Sequence, residues 1–238
     1  MKRLQKTAIP VESSDSDEDK IKLKNKNISK TSKTASNYSP KTGNDVKSSF
    51  LSLESSMNDK TLQVFKNDSF VCIRDKYPKS KIHLLLIPLL SKRMTKVENL
   101  IQIPNSIDFL HQIRNTTNEI INSSDNLKNS KLIIGFHAVQ SMSPLHMHII
   151  SDDFKSDCLK NKKHWNSFTT NYFIRLEDLI NHLEIDLDNL KKDYFIEDKF
   201  NLRNRGKLDD FLKSDLKCNK CGSSMKNIPN LKNHLNTH

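Results

Sequence analysis

The run Leu145-His146-Met147-His148-Ile149-Ile150 alternates imidazole and apolar side chains. Residues i and i+2 of an extended strand face the same way, so this period constrains the chain more than any other feature. His146 and His148 present adjacent imidazoles to one site, while Leu145, Met147 and Ile149 pack on the opposite face. A lone histidine among apolar neighbours is usually a satisfied core residue. A pair on one face, with His137 and the hydroxyl-bearing turn Ser141-Met142-Ser143 just upstream, points instead to a functional centre.

The elements around this strand predict an α+β body. A strand is expected at Ser69-Phe70-Val71-Cys72-Ile73, a turn at Asp75-Lys76-Tyr77-Pro78-Lys79, and a second strand at Ile82-His83-Leu84-Leu85-Leu86-Ile87, stopping at Pro88; together they read as an antiparallel hairpin. Ile107, Leu110, Ile113, Ile120 and Ile121 recur near the helical period and predict an amphipathic helix over 105–123 laid on the sheet. Lys131-Leu132-Ile133-Ile134-Gly135-Phe136 reads as a further strand, and Leu176, Leu179, Ile180, Leu183, Leu187 and Leu190 mark another helix. Segregated helices against a mostly antiparallel sheet give the class. Folding signals begin near Ser49-Phe50-Leu51.

Net charge is +11 over 238 residues, and the excess lies at the two ends, with the middle nearly balanced. Three regions follow: a basic, acidic-serine tail at 1–45 too polar to bury a core, a body at 46–198, and a basic module at 199–238. Basic ends on a neutral body suit a polyanion, nucleic acid first and an anionic membrane second. The serine cluster Ser13-Ser14-Asp15-Ser16-Asp17-Glu18-Asp19 is a candidate for phosphorylation, and the lysines that follow it are a candidate nuclear address. No secretory core and no membrane-length apolar run is read, and Cys72 and Cys158 are expected as free thiols, which together imply a soluble intracellular protein.

Cys218-Asn219-Lys220-Cys221 and, twelve residues on, His234-Leu235-Asn236-Thr237-His238 have the two-cysteine, two-histidine spacing of a tetrahedral zinc site holding one structural ion. Leu231 and Met225 are expected behind the metal and Pro229 in the first helical turn. Without metal so small a module is unfolded. One finger reads only about three base pairs. Asn227, Asn230 and Asn233, with Lys226 and Lys232 beside them, therefore suggest general duplex or end contact rather than sequence readout.

Imidazole is both largely unprotonated at neutral pH and nucleophilic toward phosphorus. If His146 attacks an α-phosphorus, its other ring nitrogen must be held by an acceptor so that the attacking nitrogen carries the lone pair. His148 then donates to a phosphate oxygen, and His137 and Ser141 close over the same oxygens. A phosphate monoester leaving group, with a second pKa of about 6, departs with little protonation, so the pair suits nucleotidyl transfer from an anhydride better than phosphodiester cleavage.

The spacing resembles the histidine-triad superfamily. The block from Phe136-His137 through Ser151, continued by Asp153-Phe154 and by Cys158-Leu159-Lys160-Asn161-Lys162-Lys163-His164-Trp165-Asn166-Ser167-Phe168, resembles the aprataxin family closely, over about residues 65 to 238. The resemblance implies a histidine-triad fold with flanking helices and a C-terminal finger that holds broken DNA. It also implies removal of AMP from the 5′ end of double-stranded or nicked DNA left by abortive ligation, in the nucleus, with no membrane role and a monomeric chain. His146 matches the adenylylated position, His148 its partner, His137 and Ser141 phosphate contacts, Lys160 a contact to the DNA 5′ phosphate, Asp75 the ribose-binding acid, and Lys79 a support of the nucleotide pocket. Pro144 stands where the triad's first histidine belongs, so that histidine's orienting role is absent or passes to backbone groups. No forkhead-type phosphopeptide module is read ahead of the body. Trp165 is read as packing beneath a lysine loop, His83 and His164 as structural, and His111 and His182 as lying on helices without partners. A general histidine-triad hydrolase of free adenylylated metabolites and a non-catalytic DNA-end binder remain as alternatives.

Overall fold

The computed structural model describes residues 51–89, 94–188, 200, 202 and 204–238. The tail at 1–45, the onset at Ser49-Phe50, the last leucine at Leu190 and the boundary at 198 lie outside the described residues. In chain order the elements used below are β1 (Leu51–Ser52), α1 (Glu54–Asn58), β2 (Gln63–Lys66), β3 (Phe70–Arg74), β4 (His83–Pro88), α2 (Val97–Gln102), α3 (Ser106–Asn122), α4 (Asp125–Lys128), β5 (Leu132–His137), β6 (Met142–Ser143), β7 (Met147–Ser151), α5 (Lys162–Thr169), β8 (Phe173–Arg175), α6 (Leu176–Asp188), α7 (Arg205–Lys213) and α8 (Ile228–Leu235).

One sheet orders its strands β2-β3-β4-β7-β5-β8. Every neighbouring pair in it is antiparallel. Both faces are covered, which is why its central strands β4 and β7 are buried along their whole length. Leu84, Leu86, Met147 and Ile149 join residues of α2, α3 and α6 in one cluster. The opposite face holds Val71, Ile73, Leu85 and Ile87, packed with Leu53 and with Met57 of α1. On that same face the alternation of β4 and β7 places His83 and His148 beside each other, with Leu85 paired to His148 across the two strands.

The hairpin, the long helix α3 and the strand at β5 fall where the periodicity puts them. β7 starts two residues later than the pattern predicts, because the backbones of Leu145 and His146 bond outside the ladder. Leu145 N–H donates to the Met94 carbonyl at 2.8 Å. His146 N–H donates to Gln140 Oε1 at 3.1 Å. The alternation survives that departure, since Leu145, Met147 and Ile149 still fill the helix-covered core.

Gly135 is the position where no side chain is tolerated: a Cβ there would stand 2.1 Å from the Ile174 carbonyl oxygen. β8 therefore lies close against β5, and its first residue Phe173, with Tyr172 just before it, is brought against His137.

Residues 47–238 group as one unit. The C-terminal module is built onto the body rather than hung from it: Leu216, Cys218, Ile228, Leu231 and Leu235 share a hydrophobic cluster with Ile133, Ile150, Phe154, Trp165 and Phe168. Trp165 is buried within α5, not under a loop, and its Nε1–H donates to the Lys217 carbonyl at 3.0 Å. The fully buried Asn166 amide donates to the carbonyls of Leu212 at 3.1 Å and Ser214 at 2.7 Å. Asp152 holds Lys131 at 3.4 Å and also pairs with Lys220 of the cysteine turn. No helix among the described residues is long and apolar enough to cross a membrane.

Candidate active site and metal centre

A cavity of about 330 Å³ opens at the His137 end of β5 and the start of β7. Asp75, Lys79, His137, Ser141, His146 and His148, all named from the sequence, line it. Lys160 does not, being exposed at the mouth of α5, where its backbone N–H donates to His164 Nδ1 at 3.2 Å. Lys163, His164, Ser167 and Phe168 of α5, together with His83, Tyr172 and Leu212, complete the wall. Spacing alone could not point to α5, because Lys160, Lys162 and Lys163 read as a solvated loop until Asn161 is seen capping the helix by accepting from the His164 backbone N–H at 2.9 Å.

The imidazoles are held in defined protonation states. His146 Nδ1–H donates to the Pro144 carbonyl at 2.9 Å, which leaves Nε2 with its lone pair. Burial pushes His146 below the usual 6.5; the Pro144 carbonyl and, more weakly, the Asp75 carboxylate oppose that shift. The ring is therefore neutral at pH 7, the state a nucleophile requires. Its peptide is pinned as well, by Gln140 on both the N–H and the carbonyl.

His148 owes its tautomer to a relay from the turn before β4. Lys79 N–H donates to His83 Nδ1 at 3.1 Å, so neutral His83 carries its proton on Nε2. That nitrogen stands 2.9 Å from His148 Nδ1 and donates to it, which places the remaining proton of His148 on Nε2. Burial holds His83 down at about 4, so its contact with Asp75 Oδ2 at 3.6 Å is not an ion pair at neutral pH. His83 is thus part of the site's wiring, not a structural residue only. Asp75 is itself braced, with Oδ1 accepting the Tyr77 N–H at 2.7 Å.

His137 and His148 lie with ring centroids 4.4 Å apart, and Phe168 lies 4.6 Å from His137 and 5.3 Å from His148. Burial, reinforced by the neighbouring imidazoles, drives both histidines well below their usual value. The Nε2 atoms of both are buried and have no hydrogen-bond partner among the described residues. Buried polar atoms are normally satisfied, so two orphans on one cavity wall mark where a ligand's polar atoms belong. Asp75, His83 and His148 are close enough to be considered as metal ligands, but the His83–His148 hydrogen bond already occupies the facing nitrogens.

The second cluster comprises Cys218, Cys221, His234 and His238. Cys221 Sγ lies 3.1 Å from His234 Nε2, Cys218 Sγ lies 3.5 Å from His238 Nε2, and the two Nε2 atoms are 3.2 Å apart. Zinc–ligand bonds of about 2.0–2.3 Å in a tetrahedron give edges near these lengths. Bonds from Ser223, then from the histidines, hold the Cys221 thiol down at about 5, so it is available as thiolate. The cysteine turn closes through Gly222 N–H to the Cys218 carbonyl at 2.9 Å, with Gly222 at a φ of 75°. Pro229 sits in the first turn of α8 and Leu231 is buried behind the ligands, both as the spacing implies. Asn227 is engaged as the cap of α8, accepting from Asn230 N–H at 2.9 Å, and Lys232 Nζ donates to the Ser156 carbonyl at 2.8 Å.

The other two histidines have partners that the sequence reading did not give them. His111 Nε2 meets Glu184 Oε1 at 3.0 Å across α3 and α6, and His182 Nδ1 bonds the Asp178 carbonyl at 2.7 Å. Cys72 and Cys158 are free, and burial pushes the Cys72 thiol up to about 12.

A family model described as "Scavenger mRNA decapping enzyme C-term binding" matches residues 50–164, and one described as "C2HE / C2H2 / C2HC zinc-binding finger" matches residues 169–238. The chain is 39% identical over 186 residues to the aprataxin of Danio rerio, covering 78% of this chain and 52% of that protein. It is 30% identical over 189 residues to an aprataxin-like protein of Schizosaccharomyces pombe, covering 72% of each. Among solved structures, an aprataxin ortholog, Hnt3, in complex with DNA superposes with a TM-score of 0.57 at 28% identity, covering 78% of this chain and 90% of that one. The chain spans about half the length of the animal aprataxins it matches.

Proposed function

The chain belongs to the aprataxin family, and from that premise we propose that it is a hydrolase that removes AMP from 5′-adenylylated ends of double-stranded or nicked DNA. The observation that carries this reading is the pairing of opposite tautomers on one wall: His146 offers a lone pair at Nε2, and His148 offers a proton at Nε2. A nucleophile beside a fixed donor is the arrangement that nucleotidyl transfer needs.

In the first step His146 Nε2 attacks the α-phosphorus of the adenylate. The P–O bond to the DNA 5′-phosphate breaks, and the electron pair leaves on that phosphate, which needs no strong acid because its second pKa is about 6. His148 and His137, through their unpartnered Nε2 atoms, hold the non-bridging oxygens, with Ser141 at the rim. Water then attacks the adenylyl phosphorus, the P–N bond breaks, and AMP is released with His146 neutral again. Asp75 takes the ribose and Lys79 supports the pocket, while Lys163 on the cavity wall and Lys160 outside it meet the 5′-phosphate strand.

Cys218, Cys221, His234 and His238 hold one structural zinc ion in this reading, and the metal folds the module that lies along the duplex. The body at 46–198 and the finger module at 199–238 act as one DNA-end reader, in the nucleus and as a monomer. Similarity to a protein crystallised with DNA supports the polyanion partner.

The test is to incubate the protein with adenylylated nicked DNA and, separately, with free adenylylated dinucleotides. AMP trapped on His146 from the nick, absent in His146→Ala, is the expected result. Equal turnover of the free dinucleotides would instead favour a general nucleotide hydrolase, and tight DNA binding without turnover a non-catalytic end binder.

A further inference from the structure

Pro144 brings no imidazole to the residue two before the proposed nucleophile, and its carbonyl supplies the acceptor for His146 Nδ1. A carbonyl orients the ring only if the peptide that carries the ring is itself fixed. β7 cannot do this, because its ladder with β4 ends at Met147 and its ladder with β5 ends at His148. The side chain of Gln140 supplies the missing rung. Its Nε2 donates to the His146 carbonyl at 2.8 Å and its Oε1 accepts the His146 N–H at 3.1 Å, so one primary amide clamps both polar groups of that residue as a neighbouring strand would. Gln140 is 4% exposed, in a loop between β5 and β6 that has no reason of its own to bury a glutamine.

The loop is tied so that the clamp holds. Ala138 N–H donates to the Tyr172 carbonyl at 2.9 Å, and the Tyr172 hydroxyl donates to the Val139 carbonyl at 2.7 Å. Tyr172 also lines the cavity, so the residue that closes the wall also anchors the loop bearing Gln140.

We infer that Gln140 is a positioning residue for His146: its amide sets the place of the nucleophile's peptide, with Tyr172 anchoring the loop from which it reaches. The inference rests on the reading of His146 as nucleophile. Gln140→Met conserves volume and removes both bonds. A misplacement of about 1 Å can cost about a hundredfold in rate, so formation of adenylyl-His146 in single turnover is expected to fall about ten- to a hundredfold, with the AMP dissociation constant within about threefold of wild type. Tyr172→Phe is expected to slow the same step a few-fold, and Gln140→Met/Tyr172→Phe to be no slower than Gln140→Met, because both act through one clamp.

The ring-nitrogen NMR signals of His146 separate this inference from the reading it rests on, since they report orientation whether or not the protein turns over. Wild type should show a single Nδ1–H tautomer and Gln140→Met a mixture. Absence of adenylyl-His146 in wild type would sink the nucleophile, while the tautomer comparison would still judge the clamp. An unchanged tautomer with unchanged rate, or AMP binding lost in step with the rate, would overturn it, the latter by making Gln140 a packing residue.

Discussion

The molecule gathers histidines twice, and the two gatherings differ in what holds them. Around the cavity His83, His137, His146 and His148 are drawn together beside one sheet and kept neutral by desolvation, and the protons of His83, His146 and His148 are placed by hydrogen bonds with backbone groups or with another imidazole. At the C-terminus the half-buried His234 and the exposed His238 and Cys221 lie nearer the surface, and the rings converge on the sulfurs of Cys218 and Cys221, which are also bonded to the Lys220 N–H and the Ser223 hydroxyl. The first set is organised by burial and by hydrogen bonds within the protein. The second has the ligand set of a zinc ion, which in the proposed function folds the module. The same side chain is thus driven to opposite uses by its surroundings.

The sharpest break of this comparison is at the proposed nucleophile. His146→Ala should lower adenylate removal by at least about a thousandfold while leaving zinc content and DNA affinity unchanged, as metal analysis and a binding titration would report. Removal of zinc by a strong chelator should do the reverse at first, costing more than about tenfold in DNA affinity. Since Cys218 and Leu231 share a cluster with Phe168, it should also lower the melting temperature of the body; a body that melts unchanged after chelation would separate the two regions completely.

A subtler break uses the relay. His83→Phe keeps a ring against Phe168 but removes the donor to His148, so the turnover number should drop about ten- to a hundredfold with AMP binding nearly kept. Gly135→Ala tests the other wall: with 2.1 Å available, β8 must retreat, and a loss of about 1–3 kcal/mol should appear in denaturant unfolding.

The last test, pH, acts on all four cavity histidines together. The four cavity histidines have folded-state pKa values below 6.5, so between 6.5 and those values the unfolded chain binds more protons. Stability is therefore full above pH 6.5 and declines as pH falls toward about 4, the value for His83. Each such proton contributes a slope of about 1.4 kcal/mol per pH unit, and a flat melting temperature between pH 7 and 5 would contradict the neutral cavity.

What the chain declares and what it conceals follow from range. His146 and His148 are legible because a period of two is local, and the four zinc ligands because their spacing is local. His83 is not, since its partner is 65 residues away and only the β4–β7 pairing joins them. Lys163, His164 and Ser167 are hidden because α5 is short and lysine-rich, and its buried face, Trp165 and Phe168, gains its meaning from residues some fifty positions later. Gln140 gives no signal at all: an amide acting on a peptide group needs no pattern, only proximity. β2 and β8 are too short to show a period.

The acceptor for His146 Nδ1 is main-chain, and that has a consequence for how such proteins are recognised. Every amino acid brings the same C=O, so the chemistry exerts no selection on which side chain follows its α-carbon at position 144. A search template that demands a third imidazole there would discard this chain on a criterion its own machinery does not use. A template written for the oxygen's direction, with the residue left open, would keep it.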